Sequence, residues 1–313
     1  MIYPLKFQPI YKERIWGGTL LRELFGRETP KGKRIGESWE LADLPEDKSI
    51  IANGEFTGQT LESVIRKYPK ELTGSEGLAI PFPLLLKFLD CGDVLSIQVH
   101  PDEATCKRLG MGNFKAECWY IVKAKPGAII YKGLKEGVTR ERFSRAIKEG
   151  TVEQTLRKIE VKAGQCYYLP AGTPHALGAG LLIAEIETPS DTTFRIFDWN
   201  RVDENGKPRP LHINEALESI HFDSADDNIP VRTTGRLVES RFFNVDRGRR
   251  KQNSAVPLSA GQMKTLIFLS GSGTIVSGNN AVEFNPGQTL LIPAAYRGVL
   301  RFSAETEYLT VTT

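Results

Sequence analysis

Cysteine, histidine and net charge are scarce in these 313 residues, and long apolar runs are missing altogether. The four cysteines, Cys91, Cys106, Cys118 and Cys166, stand far apart with no CxxC pair. That spacing excludes a zinc ribbon and a disulfide framework and leaves them as free thiols packed like small hydrophobes. A formal net charge of +3, with a quarter of the residues charged, gives no field strong enough to hold nucleic acid or a membrane surface. A small, locally bound substrate fits better, and no feature of the sequence specifies an oligomer. At the N-terminus, "MIYPLKFQPIYKERIWGG" is broken by Pro4, Lys6 and Pro9, and no stretch is long enough to span a bilayer. A cytoplasmic chain is expected.

Helical signals are few as well. "TLESVIRKY" opens on Thr60 as an N-cap, "TRERFSRAIKEG" runs from Thr139 to Gly150, and "INEALESI" starts near Asn214. What is abundant is short β-branched or aromatic runs bounded by Gly, Pro, Asn and Asp, among them "PLLLKFLD", "VLSIQVH", "ECWYIVKA", "LLIAEIE" and "TLIFLSGSGTIVSG". The expected fold is mainly β, as jelly-roll sandwiches with short helical insertions. An internal repeat supports two copies: "AGQCYYLPAGTPHAL" from Ala163 aligns with "PGQTLLIPAAYRGVL" from Pro286, pairing Gly164 with Gly287, Gln165 with Gln288 and Pro170 with Pro293. Gly298 stands where the first copy has His175, so chemistry is expected in the first copy and no metal in the second. The polar stretch "HFDSADDNIPVRTTG" places the boundary near residue 230, giving a catalytic unit 1–230 and a smaller unit 231–313.

Only four histidines are available as imidazole ligands. His212 and His221 flank the short helix near the boundary and read as surface or capping residues. His100 and His175 stand at strand ends beside proline, where the backbone is stiff. In "SIQVHPDEA", alternation puts Ser96, Gln98 and His100 on one strand face. Asp102 and Glu103 then begin a helix after Pro101. In "NFKAECWYIV", Lys115 and Glu117 share a face, opposite Ala116, Cys118 and Tyr120. Gln98, His100, Glu117 and His175 together can bind a divalent metal. With Zn²⁺ the cluster would carry about +1, a charge suited to polarising a carbonyl. "SDTTFRIFDWNR" adds Asp191 and Arg195. Arg195 either holds a carboxylate such as Asp198 or, turned inward, offers a fixed cation to an enediolate or a phosphate.

These segments resemble the type I mannose-6-phosphate isomerases of the cupin superfamily, in their short two-cupin form. The likeness runs in order through "IYKERIWGGTLL", "GESWELA", "PFPLLLKFLD", "LSIQVHPDE", "KAECWYI", "LPAGTPHALGAG" and "SDTTFRIFDW". It implies two cupin barrels and one Zn²⁺ per chain held by Gln98, His100, Glu117 and His175. It further implies Arg195, Lys115 and Asp191 as catalytic residues, and Ser96, Lys115 and Glu40 at the substrate. Trp16 is expected to pack. The helical domain of longer relatives is expected to be reduced to an insertion over about 136–158. The implied reaction interconverts mannose 6-phosphate and fructose 6-phosphate through a cis-enediol, with Asp191, Glu40 or a metal-bound water as base. Two imidazoles and a carboxylate equally form the facial triad of iron oxygenases, so a cupin dioxygenase and a non-catalytic sugar-binding cupin stand as alternatives.

Overall fold

The computed structural model describes residues 2–76, 80–202, 205–223 and 231–313. Its strands form two sandwiches. In the first, a six-stranded antiparallel sheet has the order β2 (Ile10–Glu13), β3 (Ile35–Leu41), β4 (Leu85–Cys91), β11 (Leu181–Glu187), β6 (Glu117–Ala124), β9 (Cys166–Leu169). It faces a five-stranded sheet ordered β12 (Phe194–Phe197), β5 (Ile97–Val99), β10 (His175–Leu177), β7 (Ile129–Leu134), β8 (Leu156–Glu160). The second pairs a sheet ordered β1 (Leu5–Lys6), β19 (Thr289–Ile292), β16 (Lys264–Ser270), β21 (Thr306–Thr312), β14 (Asn244–Arg250), β13 (Gly235–Glu239) with one ordered β15 (Ala255–Leu258), β20 (Gly298–Phe302), β17 (Gly273–Ser277), β18 (Asn280–Phe284). This is the mainly β sandwich architecture that the strand pattern predicts, in the cupin-like form that the resemblance implies. The expected boundary at residue 230 lies outside the described residues. Strand β1, from the beginning of the sequence, completes the edge of the second sandwich by pairing with β19.

Burial on both faces explains the apolar runs of the central strands. Every residue of β4 and β11 is buried. Leu86, Phe88, Leu182, Ala184 and Ile186 face outward with Cys118 and Tyr120 of β6, where they share one core with Leu237, Val245, Ile267 and Val311 of the second sandwich. Alternation sends Leu89, Trp119, Ile121 and Ile183 the other way, into the first sandwich. The interior of the second sandwich is filled by aromatic rings, with Phe268 and Phe284 stacked at 3.8 Å and Phe302 and Tyr308 beside them.

The repeat is realised in hydrogen bonds. Gln165 Oε1 accepts from Lys162 N at 2.7 Å and Gln288 Oε1 from Asn285 N at 3.1 Å. After the strand, Thr173 N donates to Pro170 O and Tyr296 N to Pro293 O, at 3.2 and 3.0 Å. Each copy thus uses one side-chain-braced turn to enter its strand and one tight turn to leave it.

The helices are α1 (Leu20–Phe25), α2 (Leu61–Lys67), α3 (Pro69–Thr73), α4 (Glu103–Leu109), α5 (Arg140–Glu149) and α6 (Ile213–Ser219). Thr60, Asp102 and Thr139 cap α2, α4 and α5 through their side chains. Helix α5, within the expected insertion, buries Phe143 and Ala146 against the five-stranded sheet. No helix among the described residues is long and apolar enough to cross a membrane.

Asp90 supports α1 from β4: its Oδ2 accepts from Leu21 N at 2.8 Å, while its buried Oδ1 has no partner. Burial pushes its carboxyl up to about 6, against the pull of the Leu21 and Leu20 amides. From the ordinary 3.8 up to that value, the folded chain keeps a proton that the unfolded chain has released, so stability falls as pH rises through the window. Asp90→Asn is expected to remove this slope and to gain on the order of 2 kcal/mol on the parent at neutral pH. Thermal melts in steps from about pH 4 to 7 check it; parallel curves for the two proteins would contradict it.

Candidate active site

The strand registers bring the sequence-distant candidates into two facing rows. Across the five-stranded sheet, Arg195 of β12 lies beside Gln98 of β5, Gln98 beside His175 of β10, and His175 beside Lys132 of β7. Across the six-stranded sheet, Trp39, Lys87, Glu185, Trp119 and Tyr167 follow one another, with Glu117 and Glu187 paired one step along. His100, just beyond β5, enters between the rows.

Two imidazoles and a carboxylate meet there. His100 Nε2 is 3.2 Å from Glu117 Oε2, and His175 Nε2 is 3.4 Å from Glu117 Oε1. Each ring commits Nδ1 to a backbone carbonyl, His100 to Thr192 O and His175 to Thr173 O, both at 2.8 Å. A carbonyl only accepts, so Nδ1 carries the proton and Nε2 presents a lone pair. Burial pushes the His100 imidazole down to about 3, with Lys115 adding to the effect, and lowers that of His175, so both rings are neutral. Glu117 would be raised by its burial, but the charged Lys115 ammonium beside it holds it well below the carboxylate range. Four buried acceptor atoms therefore converge without a hydrogen-bond partner. Such a donor set fits a cation, and one atom from each residue lies within 4.8 Å of the others.

A second buried cluster neutralises the first. Lys115 Nζ reaches Glu187 at 2.5 Å and Glu117 at 3.2 Å, and Lys87 Nζ reaches Glu187 at 2.7 Å and Glu185 at 3.7 Å. Burial works against both ammoniums, yet the surrounding carboxylates outweigh it and keep them charged. Burial also raises Glu185 well above the carboxylate range, and the charges of Glu187 and Glu117 raise it further. Its Oε1 accepts from Trp119 Nε1 at 2.9 Å.

An open cleft of about 520 Å³ adjoins this centre, lined by Ser96, Gln98, Lys115, Asp191 and Arg195 as well as Lys87, Glu185 and Arg209. Arg195 is set rigidly at its side. Its backbone N donates to His212 Nδ1 at 3.1 Å, its Nη1 donates to Pro210 O at 2.8 Å, and its buried Nε is unpartnered. Asp198 does not claim it, being held by Arg201 and Arg209 at 2.6 Å. Asp191 stands at the cleft lip, 3.8 Å from Lys87. Trp16 packs in the core and also edges the cleft.

Glu40 does not join them. Strand alternation puts Glu40 with Ser38 on the outer face of β3, opposite Glu37 and Trp39. Arg27 holds its two oxygens at 2.7 Å each and Ser38 Oγ donates to it at 2.6 Å. Glu37 lines the cleft instead. Sequence reading also passed over Lys87, Glu185 and Glu187, whose signal was a charge inside otherwise apolar strands, at Lys87 in "LLLKFLD" and at spacing two in "LLIAEIE". His212 stands at the N-cap of α6 as expected, but its ring does not cap the helix and accepts from Arg195 N instead.

Residues 4–130 match the family model described as phosphomannose isomerase type I, catalytic domain. The chain is 36% identical over 302 residues to the mannose-6-phosphate isomerase ManA of Bacillus subtilis, covering 93% of each chain. It is 34% identical over 299 residues to the mannose-6-phosphate isomerase of Streptococcus mutans, covering 94% of this chain and 93% of that one. Among solved structures, the mannose 6-phosphate isomerase of Bacillus subtilis superposes with a TM-score of 0.89 at 30% identity, over 99% of both chains. On these likenesses, the chain belongs to the type I phosphomannose isomerase family.

Proposed function

We propose that this enzyme interconverts mannose 6-phosphate and fructose 6-phosphate in the cytoplasm, using one zinc ion held by Gln98, His100, Glu117 and His175. The observation that carries the reading is the convergence of two Nε2 lone pairs on one buried carboxylate, an acceptor set that the Lys115 ammonium at 3.2 Å meets at a single oxygen. Zinc bound there supplies Lewis-acid polarisation of the sugar's carbonyl and hydroxyl oxygens. The chain supplies the rest. In the opened sugar a proton leaves C2, giving a cis-enediol, and is returned at C1 while the hydroxyl proton passes from O2 to O1. Asp191 at the cleft lip takes and returns the carbon-bound proton. Arg195 faces the developing enediolate charge with a guanidinium that Pro210 O keeps in place, its backbone being tied to the His212 ring. Lys115, fixed between Glu187 and Glu117, and Ser96 bind a sugar oxygen or the phosphate. The cleft volume is in the range that holds a hexose phosphate. In this reading residues 1–230 form the catalytic unit and 231–313 carry no metal.

A coupled assay on mannose 6-phosphate tests substrate and metal together. Turnover is expected, its loss after chelation, and its return on adding zinc, with one zinc per chain. Iron-dependent oxygen uptake without aldose to ketose conversion would instead identify a dioxygenase.

A further inference from the structure

His221 closes a ring of contacts around the two turns that present the imidazoles. Its Nε2 is 2.8 Å from Asp102 Oδ2, two residues beyond His100. Its backbone N donates to Gly172 O at 3.1 Å, three residues before His175, and Gly172 N donates to His100 O at 2.8 Å. The His221 ring also lies flat on Gly172: a Cβ built there would stand 2.6 Å from Cγ and 2.7 Å from Nδ1. Gly172 has φ of +82°, so close approach and backbone conformation both require glycine. Asp102 is itself anchored, since its Oδ1 accepts from Thr105 N at 2.7 Å at the start of α4. His221 directly follows α6 and Ile220, and the residues just before α6 hold Arg195 through Pro210 O and His212. One short segment thus fastens both imidazole turns and the cleft arginine.

The geometry points to His221 as a positioning residue that sets the separation of His100 and His175 without touching the metal they hold. The inference rests on the metal reading given above. Outer partners of metal ligands act by limiting the orientations that the ligands sample, and their loss typically weakens binding about 10–100-fold. Removing the His221 side chain opens the ring on the Asp102 side and uncovers Gly172, leaving the two turns joined only by the backbone bond from Gly172 N to His100 O, so their separation is less firmly set. Gln at 221 keeps an Nε2–H that can donate to Asp102 Oδ2.

The test is a zinc dissociation constant measured by competition against a chromophoric chelator, for the parent chain, His221→Ala and His221→Gln. His221→Ala is expected to bind zinc about 10–100-fold more weakly, His221→Gln within about threefold of the parent, and the kcat of both at saturating zinc to stay near the parent value. Equal affinity in His221→Ala would overturn the inference while leaving the metal reading intact. Failure of Gln to restore affinity would overturn it too, by reducing His221 to general packing. A parent chain that takes up no zinc would overturn the metal reading and the inference with it.

Discussion

Glu117→Gln is expected to empty the metal centre and lower kcat on mannose 6-phosphate by about 10³-fold or more. The substitution is nearly isosteric, so the effect isolates charge. Among the described residues, Glu117 is the only anion facing both imidazoles, at 3.2 and 3.4 Å. An amide there leaves a divalent ion with neutral donors beside the charged Lys115 ammonium. Metal-assisted charge stabilisation is worth several kcal/mol, and each 1.36 kcal/mol is about tenfold in rate. The fold should survive, because Lys115 keeps Glu187 at 2.5 Å and is not left as an isolated buried charge. Zinc content by mass spectrometry and kcat by the coupled assay read the two effects separately. A variant retaining one zinc per chain would remove Glu117 from the ligand set.

Arg195→Ala should separate in the opposite sense, with zinc retained and kcat reduced about 10²–10³-fold, the range for loss of a group aimed at developing negative charge. Arg195 lies beside Gln98 in the ladder but ties itself to Pro210 and His212, away from the imidazoles. Arg195→Lys should recover little. A flexible ammonium reproduces neither the bond to Pro210 O nor the planar donor edge left over for substrate. Parallel loss of zinc and activity in Arg195→Ala would show that the residue supports the metal centre and does not act on the sugar.

The strand candidates were legible because alternation reports which side chains share a face. Gln98 with His100, and Lys115 with Glu117, follow from spacing two alone. Alternation does not report which strands are neighbours. Lys87 and Glu185 lie almost a hundred residues apart, yet are directly opposite across β4 and β11. Each reads by itself as an odd polar group in an apolar run, and only the register reveals that they belong to one buried cluster, in which Glu187 pairs with Lys87 at 2.7 Å. Glu40 obeys the same alternation, sharing the outer face with Ser38 opposite Glu37 and Trp39, and its expected place at the substrate came from the resemblance and not from spacing. His221 is an exposed residue and His212 an N-cap, as expected, but their partners, Arg195, Asp102 and Gly172, are contributed by distant turns and are not legible locally. Capping, by contrast, is a local matter, and Thr60 and Thr139 begin their helices where the sequence places them.

The pairing of Leu5 with Leu291 gives the chain a schedule. During synthesis β1 emerges almost first and its partner β19 almost last, so its ladder bonds wait while the whole first sandwich is made. Pairing over such a sequence separation is slow to form. The delay leaves a short strand edge open in the nascent protein, a state in which long-range β-structures are prone to pair with other chains. Lys6 within β1 and the prolines at positions 4 and 9 on either side of it supply a charge and two missing amide donors, which discourage a foreign strand from adding there. In the nascent chain, then, these residues act as guards on the edge that β19 later covers, the other edge being held early by residues 50–53.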